Sequence, residues 1–184
     1  LEPTATLREV LDGSAELGIL LTTNPQRFHQ DYGAQLTIDC AAEMEVHVAL
    51  PERLKGLPDP VRLTDLSAET WLLPPRWPEL SGLPEAMDQV WAKAALSKPV
   101  TVQEVPTLQT GLPLVAGDYG ISLLPHTAQA LGQQGVHFRR IAEALPTVQA
   151  LVIHRADRAL SPAARTLNDV LLNAYAEPTP AVAR

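Results

Sequence analysis

Apolar and polar positions alternate along this chain in blocks that predict strands and helices in turn. Residues 17–21 form a continuous apolar run before the turn residues 22–25, which predicts a strand buried on both faces, as in a parallel sheet. Val46, Val48 and Leu50 alternate with other residues up to Pro51, which predicts a half-exposed edge strand. The pattern therefore indicates one buried and one edge strand in the first third of the chain.

Helical spacing marks further segments. Thr6 and Glu9 have the form of a capping box, so a short helix is predicted to start at Thr6 and to end at Gly13. Residues 108–116 also read as a helix, with Gly117 as a left-handed cap and Pro113 as a residue that would kink it. The longest amphipathic helix carries its apolar face on Leu83, Met87, Val90, Trp91 and Ala94.

The remaining elements continue the alternation. Ser161 and Pro162 supply an N-cap and a first helical residue for a closing helix. Its expected apolar stripe consists of Leu167, Val170, Leu171, Ala174 and Tyr175. Other strands are predicted at residues 70–73, 100–105, 121–124, 136–141 and 148–153, a short helix at 126–131, and a disordered tail after Glu177. This order predicts an α/β fold with a largely parallel sheet and ligands at the carboxyl ends of its strands.

Composition narrows the class of protein. The chain has 184 residues, 46% of them hydrophobic, which is enough for one domain or two small lobes. Its 14 Lys and Arg against 21 Asp and Glu give a net charge of −7, so this segment is not expected to bind DNA by itself. Its single cysteine, Cys40, excludes an internal disulfide framework and any four-cysteine zinc site, as expected in a reducing compartment.

Targeting signals are not visible. No apolar run reaches the roughly 18 to 20 residues of a membrane span, and the N-terminus lacks a cationic start followed by an apolar stretch. The expected location is the cytoplasm, with no membrane partner. The chain begins at Leu1 without an initiator Met, so a partial chain is expected.

Several segments resemble the effector-binding domain of LysR-type bacterial transcription regulators. Residues 114–125, Leu-Val-Ala-Gly-Asp-Tyr-Gly-Ile-Ser-Leu-Leu-Pro, resemble the family pattern in which a helix ending in Val-Ala-x-Gly runs into Gly-Ile-x-Leu-Leu-Pro. Similar stretches occur in family order at residues 16–20, 46–51 with 63–66, 135–139 and 152–162. The resemblance covers nearly the whole chain.

The resemblance implies a two-lobed fold like that of type 2 periplasmic binding proteins. Lobe I would comprise residues 1–45 and 148–184, and lobe II residues 46–147. The family's helix-turn-helix is absent, and so are the first strand and first helix of its sensing domain, so lobe I is expected to be incomplete. The implied partners are a small-molecule effector, further copies of the chain in a dimer or tetramer, and DNA only through the absent helix-turn-helix domain.

Candidate ligand contacts are expected in strand-to-helix loops. Arg76 follows a strand and offers a guanidinium for a carboxylate, with Pro75 restraining the loop and Trp77 adding an aromatic face. A solvated Arg76 beside a Trp77 that covers the core is an equally weighted alternative. Thr107 and Thr110 could donate from a helix start, although a plain capping role is favoured for both.

The first strand leads into a similar set of polar residues. Thr22, Thr23 and Asn24 follow residues 17–21 and could contact a ligand, and they serve equally well as turn formers.

Catalytic and metal-binding patterns are weak. Residues 120–124 lack the second glycine of a nucleophile elbow, and residues 117–120 read as a helix stop and not as a phosphate loop. Cys40 has no neighbouring partner in the sequence, and the five histidines lack the i, i+4 spacing of a metal pair. No catalytic residue, metal or cofactor is therefore expected.

The leading functional hypothesis is allosteric sensing of a small organic, anionic metabolite. A periplasmic solute-binding protein of the same fold is the alternative, and it would carry a signal peptide. An enzyme on the same two-lobe architecture is the third possibility, and it would need a reactive side chain in the cleft.

Overall fold

The computed structural model describes residues 2–94 and 101–174, and the chain divides into two compact units. The first unit comprises Leu1–Glu43 and Gln149–Arg184, and the second comprises Met44–Val148. The expected strand start at Val100, the stripe residue Tyr175 and the tail after Glu177 lie outside the described residues.

Helices and strands alternate along both units. The helices are α1 (Pro3–Asp12), α2 (Pro25–Tyr32), α3 (Leu83–Lys93), α4 (Leu108–Ala116) and α5 (Pro162–Ala174). The strands are β1 (Gly18–Thr22), β2 (Leu36–Met44), β3 (Val46–Pro51), β4 (Trp71–Leu73), β5 (Val102–Glu104), β6 (Ile121–Pro125), β7 (Val136–Arg140) and β8 (Val148–Arg155). Single 3-10 turns occupy Glu52–Leu54 and Leu63–Leu66, and a longer one His126–Leu131. Most elements lie close to their predicted positions, although α2 and β2 were not predicted, and the α/β class is confirmed.

The first unit is built on a three-stranded sheet in the order β1-β8-β2. β1 pairs antiparallel with β8, from Gly18 opposite Ile153 to Thr22 opposite Gln149. Helix α1 packs on β1, where a Cβ at Gly18 would lie only 2.9 Å from Thr6 Cγ2. Glycine at this position therefore lets the helix approach the strand closely.

The prediction that residues 17–21 are buried on both faces, as in a parallel sheet, was wrong. Leu20 and Thr22 are buried, whereas Ile19 is 52% exposed and Leu21 48%. Helix α1 packs on β1, and the alternation of buried and exposed residues shows that only one face of the strand is covered among the described elements. A continuous apolar run does not report how many faces are covered.

The start of α1 also differs from the prediction. The helix begins at Pro3 with Glu2 as N-cap, and Thr6 N–H donates to Glu2 O at 3.0 Å, so Thr6 lies inside the first turns. Proline favours the first helical position because its missing N–H needs no partner there. The predicted end is confirmed, since Gly13 has a left-handed φ of 83°.

Helix α5 begins where it was predicted to begin, but its buried residues differ from the predicted ones. Ala164 N–H donates to Ser161 Oγ at 3.2 Å, which is the expected cap. Leu167 and Val170 of the expected buried stripe are both more than half exposed, whereas Ala164 is buried. The stripe prediction was therefore wrong for Leu167 and Val170, its first two residues, and also for Ala174, which is exposed.

The second unit is built on a five-stranded sheet in the order β5-β4-β6-β3-β7. β4 pairs in parallel with β5 and β6, whereas β3 pairs antiparallel with β6 and β7. β3 is therefore an interior strand with nearly every residue buried, and its predicted edge position was wrong. The sheet is mixed and not largely parallel, because the chain enters it on an antiparallel strand.

Helix α3 supplies much of the covering layer of this sheet. Its buried residues are Pro84, Ala86, Met87, Val90 and Trp91. The Trp91 ring packs edge-on against Trp71 of β4, with 5.1 Å between the ring centroids. The predicted apolar face is therefore present, although Ala94 at its end is exposed.

Helix α4 runs through Pro113 to Ala116 and is followed by a turn that differs from the predicted one. Gly117 has a φ of −81°, and the left-handed position is Asp118 at 62°. Aspartate tolerates that backbone better than most side chains, and here Arg53 Nε donates to Asp118 Oδ1 at 2.6 Å. The left-handed residue is thus one position later than predicted.

Candidate functional site

The carboxyl ends of three strands meet at one edge of the five-stranded sheet. Because β4, β5 and β6 run parallel, they end together near Leu73, Glu104 and Pro125, and Val105 N–H donates to Leu73 O at 2.8 Å. Val46, at the start of β3, pairs opposite Pro125. We call this side of the sheet the strand-end edge, and ligands of open α/β sheets bind at such edges.

Arg76 lies in the loop that follows β4, at the strand-end edge, and it is already paired. Its Nη1 donates to Glu85 Oε1 at 3.1 Å, and its Nη2 lies 2.9 Å from Asp88 Oδ2. Glu85 also accepts the Gly82 N–H at 2.8 Å, which ties this group to the start of α3. The guanidinium expected to hold an anion is thus neutralised by two carboxylates of α3.

Pro75 and Trp77, which flank Arg76 in the loop, are more buried than Arg76 itself. Trp77 is partly buried and forms a short bridge to Leu80, whose side chain is buried. Pro75 is also partly buried. The loop is therefore anchored to the second unit by its apolar residues, while Arg76 stays 54% exposed.

A cavity of about 340 Å³ opens beside this loop. It lies between α3 and the β4 and β5 strands, and we call it the α3 cavity. It is lined by Leu73, Pro74, Arg76, Pro84, Met87, Asp88, Trp91, Val102 and Glu104. Of the residues predicted as ligand contacts, Arg76 alone lines it.

Thr107 and Thr110 lie at the start of α4, directly after β5. Thr110 N–H donates to Thr107 Oγ1 at 3.2 Å, and the two hydroxyl oxygens are 3.0 Å apart. Thr107 is therefore the N-cap of α4, which was the favoured alternative. Both threonines share the strand-end edge with Arg76, because β5 and β4 are neighbouring parallel strands.

Thr22, Thr23 and Asn24 belong to the first unit, whereas the other candidates belong to the second. Asn24 Oδ1 accepts the Arg27 N–H at 3.1 Å as N-cap of α2, and Thr22 Oγ1 accepts the Asn24 N–H at 3.1 Å. Thr22 is buried. These residues form the turn and the helix cap between β1 and α2.

Sequence reasoning missed a pair of histidines at the strand-end edge. The rings of His47 and His126 lie 5.9 Å apart, and Gln129 Nε2 is 2.9 Å from His47 Nδ1. Glu45 Oε2 lies 3.5 Å from His47 Nε2. The i, i+4 spacing identifies only histidines that are neighbours on a helix. His47 and His126 are distant in the sequence and are brought together by the pairing of β3 with β6.

A second cavity, of about 420 Å³, lies in the first unit and contains none of the predicted site residues. Its main cation, Arg155, donates to both Asp157 oxygens at 2.8 and 2.6 Å and to Leu11 O at 2.7 Å. These bonds lower the pKa of Asp157. The guanidinium therefore serves mainly to close the turn after β8.

The described residues contain neither a metal-binding cluster nor a helix that could span a membrane. Across residues 2–94 and 101–174, no three side chains of the metal-ligating types come together at a position that would hold an ion. Among the described helices, none is both long and apolar enough to cross a bilayer.

Two α/β units, each around its own sheet and with polar loops at the strand ends, define a class of small-molecule-binding domains. The sequence matches the family model of the LysR substrate binding domain over residues 1–176, and the chain belongs to that family. The family has the type 2 periplasmic-binding-protein-like fold, so the resemblance found in the sequence is confirmed.

Solved structures agree on this fold. The effector binding domain of QuiR in complex with shikimate superposes with a TM-score of 0.72 at 17% identity, covering 95% of this chain and 78% of that one. The BenM effector binding domain with its effector benzoate gives 0.68 at 19% identity, covering 100% and 82%. Full-length CbnR complexed with its target DNA gives 0.75 at 17% identity, covering 96% of this chain and 59% of CbnR. A comparison with curated proteins finds no significant match.

Proposed function

We propose that this chain is the effector-sensing part of a bacterial transcription regulator, and that its effector is a small organic acid. Effector binding would change how the full-length oligomer binds DNA or controls transcription. The observation that carries the proposal is the strand-end edge, where three parallel strands end beside Arg76 and the start of α4. QuiR and BenM, which share the fold, are described with the organic acids shikimate and benzoate.

A binding role is favoured over catalysis. The carboxylates of Glu85 and Asp88 are engaged with Arg76, and the hydroxyls of Thr107 and Thr110 are engaged with the helix start. Neither arrangement pairs a nucleophile with a general base. We propose a cytoplasmic location, because a regulator of transcription acts where its DNA is.

An organic acid would bind the strand-end edge in one of two ways. It would attract Arg76 away from Glu85 or Asp88, or it would accept hydrogen bonds from the first-turn amides of α4 beside Thr107 and Thr110. Within the second unit, we propose Arg76, Thr107 and Thr110 as contacts of the acid, with Pro75 and Trp77 shaping the Arg76 loop. Within the first unit, Thr22, Thr23 and Asn24 lie at the start of α2, and we propose them as polar ligand contacts of that unit.

A thermal-shift screen against organic acids and amino acids tests the proposed function. A ligand at 100 times its dissociation constant adds about 2.7 kcal/mol to the free energy of unfolding, which is roughly 5 to 10 °C for a chain of this size. Benzoate and shikimate are the first compounds to include. An acid that shifts the melt is then tested on the full-length regulator. Loss of its control over DNA binding in the Arg76→Ala variant completes the test.

Arg76→Ala locates the acid. The variant is expected to weaken acid binding by about tenfold, since a charge-assisted hydrogen bond is lost, while the melt stays cooperative. Arg165→Ala is the matched control, because Arg165 is an exposed arginine on α5 and is not among the proposed contacts. Unchanged acid affinity in Arg76→Ala would contradict the proposed contact.

A further inference from the structure

We propose that the α3 cavity is a binding site for a small organic cation, an ammonium group carried on an aromatic or aliphatic body. This site lies within the second unit and belongs to a ligand of opposite charge to the effector proposed above. It depends on the walls of one cavity and not on the regulatory role of the chain.

The size and walls of the cavity suit an organic molecule. A volume of about 340 Å³ lies at the lower end of the range for small-molecule sites. Met87, Trp91 and Leu73 present side chains that are otherwise buried, and Val102 on the edge strand β5 is half exposed at the opening. A ligand body that covered Val102 would remove apolar surface from water, which favours binding.

The charges around the cavity favour a cation. Among the residues that the structure describes, Asp88 and Glu104 line it together with one cation, Arg76, and Glu85 adds a third carboxylate to the same group. Arg76 is paired with Glu85 and Asp88, which leaves Glu104 without an ion-pair partner among the residues that the structure describes. An anion would have to displace a carboxylate from Arg76, whereas an ammonium group adds a partner for Glu104.

The aromatic wall points to the same ligand class. Trp91 lines the cavity, and its ring is held edge-on by Trp71 behind it. An ammonium group near an indole is attracted by the quadrupole of the ring, and this attraction grows when water is excluded. One wall of the cavity therefore favours a positive charge as well as an apolar surface.

The test measures the affinity of the whole 184-residue chain for three compounds of one shape at pH 7. These are phenethylammonium, the neutral phenethyl alcohol and the anion phenylacetate. We expect phenethylammonium to bind at least tenfold more tightly than the neutral alcohol, while phenylacetate reports on the strand-end edge. Equal affinity for the ammonium and the alcohol, or no binding of phenethylammonium at millimolar concentration, would each overturn the proposal.

Isosteric variants then assign the charges. Glu104→Gln and Asp88→Asn are each expected to weaken phenethylammonium binding by about five- to tenfold, and Arg76→Ala to strengthen it by removing the competing cation. Asp169→Asn, on α5 of the first unit, changes the net charge equally and controls for long-range effects. Affinity that falls by the same factor in Asp169→Asn as in Glu104→Gln would contradict a local site.

Chemical-shift mapping places the ligand. The indole N–H of Trp91 and the methyl groups of Val102 are expected to shift on titration, and shifts confined to the first unit would overturn the assignment. The two proposals fail separately. Arg76→Ala should weaken an acid at the strand-end edge and strengthen an amine in the cavity, and amine binding is read without DNA or transcription.

Discussion

Similar apolar sequences are buried to different extents in the two sheets. β1 of the first unit arises from a continuous apolar run, and β6 of the second is apolar except for Ser122, which donates to Leu72 O at 2.7 Å. All five residues of β6 are buried, whereas β1 alternates between buried and half-exposed positions. An apolar run therefore identifies a strand, and the elements that pack on its two faces decide which of its residues are buried.

The neighbours of each strand explain the difference. β6 lies between β4 and β3, and α4 packs on β6 and β3 through a cluster that includes Leu112, Val115 and Leu124. β1 lies at the end of a three-stranded sheet, and α1 covers one of its faces. The second unit consequently has the more completely enclosed core, and mutations should affect the two units unequally.

The largest expected effect is at the tryptophan pair of the second unit. Trp91→Ala removes a buried ring from its contact with Trp71 and is expected to cost about 3 to 5 kcal/mol of the free energy of unfolding. Val102→Ala is the matched control, because Val102 lines the same cavity and is half exposed, so its cost should stay within about 0.5 kcal/mol. Chemical denaturation followed by tryptophan fluorescence and circular dichroism measures both. A loss below about 1 kcal/mol in Trp91→Ala would show that α3 is not a tight part of this core.

A matched pair of isoleucines tests the comparison directly. Ile121 in β6 is fully buried, whereas Ile19 in β1 is about half exposed. Ile121→Ala is expected to cost about 2 to 5 kcal/mol, and Ile19→Ala less than about 1 kcal/mol. Urea denaturation of the two variants gives the difference. Similar losses would mean that the outer face of β1 is covered in solution, and the contrast between the sheets would then disappear.

Much of the element order followed from periodicity, and what failed depended on neighbours distant in the sequence. The strands at β4, β6, β7 and β8 and the helices α3 and α4 lie where the pattern predicted them. The edge position predicted for β3 was wrong because its partners β6 and β7 are more than 70 residues away, as Val46 opposite Pro125 shows. Period-two alternation gives the faces of a strand and says nothing about its two edges.

The candidate site was only half predictable for the same reason. A strand followed by a loop cation placed Arg76 correctly at a strand end, and the two threonines after β5 fell on the same edge. The carboxylates of Glu85 and Asp88 were missed, because they reach Arg76 only when the loop folds back on α3. The sequence shows that Arg76 is charged, whereas its pairing with Glu85 and Asp88 depends on the tertiary contact between the loop and α3.

The two units also use different chemistry to hold a surface carboxylate. In the second unit, hydrogen bonds from Lys55 and from His137, the latter at 2.6 Å, lower the pKa of Glu52 to about 2. In the first unit, the N–H and hydroxyl of Ser161 donate to Glu16 at 2.9 and 2.8 Å and are the main cause of its lowered pKa, with a smaller contribution from the charge of Arg158. The first arrangement should therefore respond more strongly to salt than the second.

The smallest expected effect separates these two carboxylates. Both pKa values are lower in the folded chain than the ordinary value of 4.5, so each carboxylate stabilises the fold above about pH 4.5 and loses that contribution as the pH falls through its folded pKa. Glu52→Gln and Glu16→Gln should therefore lower Tm slightly at pH 6, by less than about 2 °C, and the Glu52→Gln difference should vanish near pH 2. In 1 M NaCl the difference for Glu52→Gln should shrink, because salt screens the attraction to Lys55, while that for Glu16→Gln should shrink less. Thermal melts at two salt concentrations decide the matter. If the two variants showed equal salt dependence, the attraction between Lys55 and Glu52 would contribute no more to stability than the hydrogen bonds to Glu16 do.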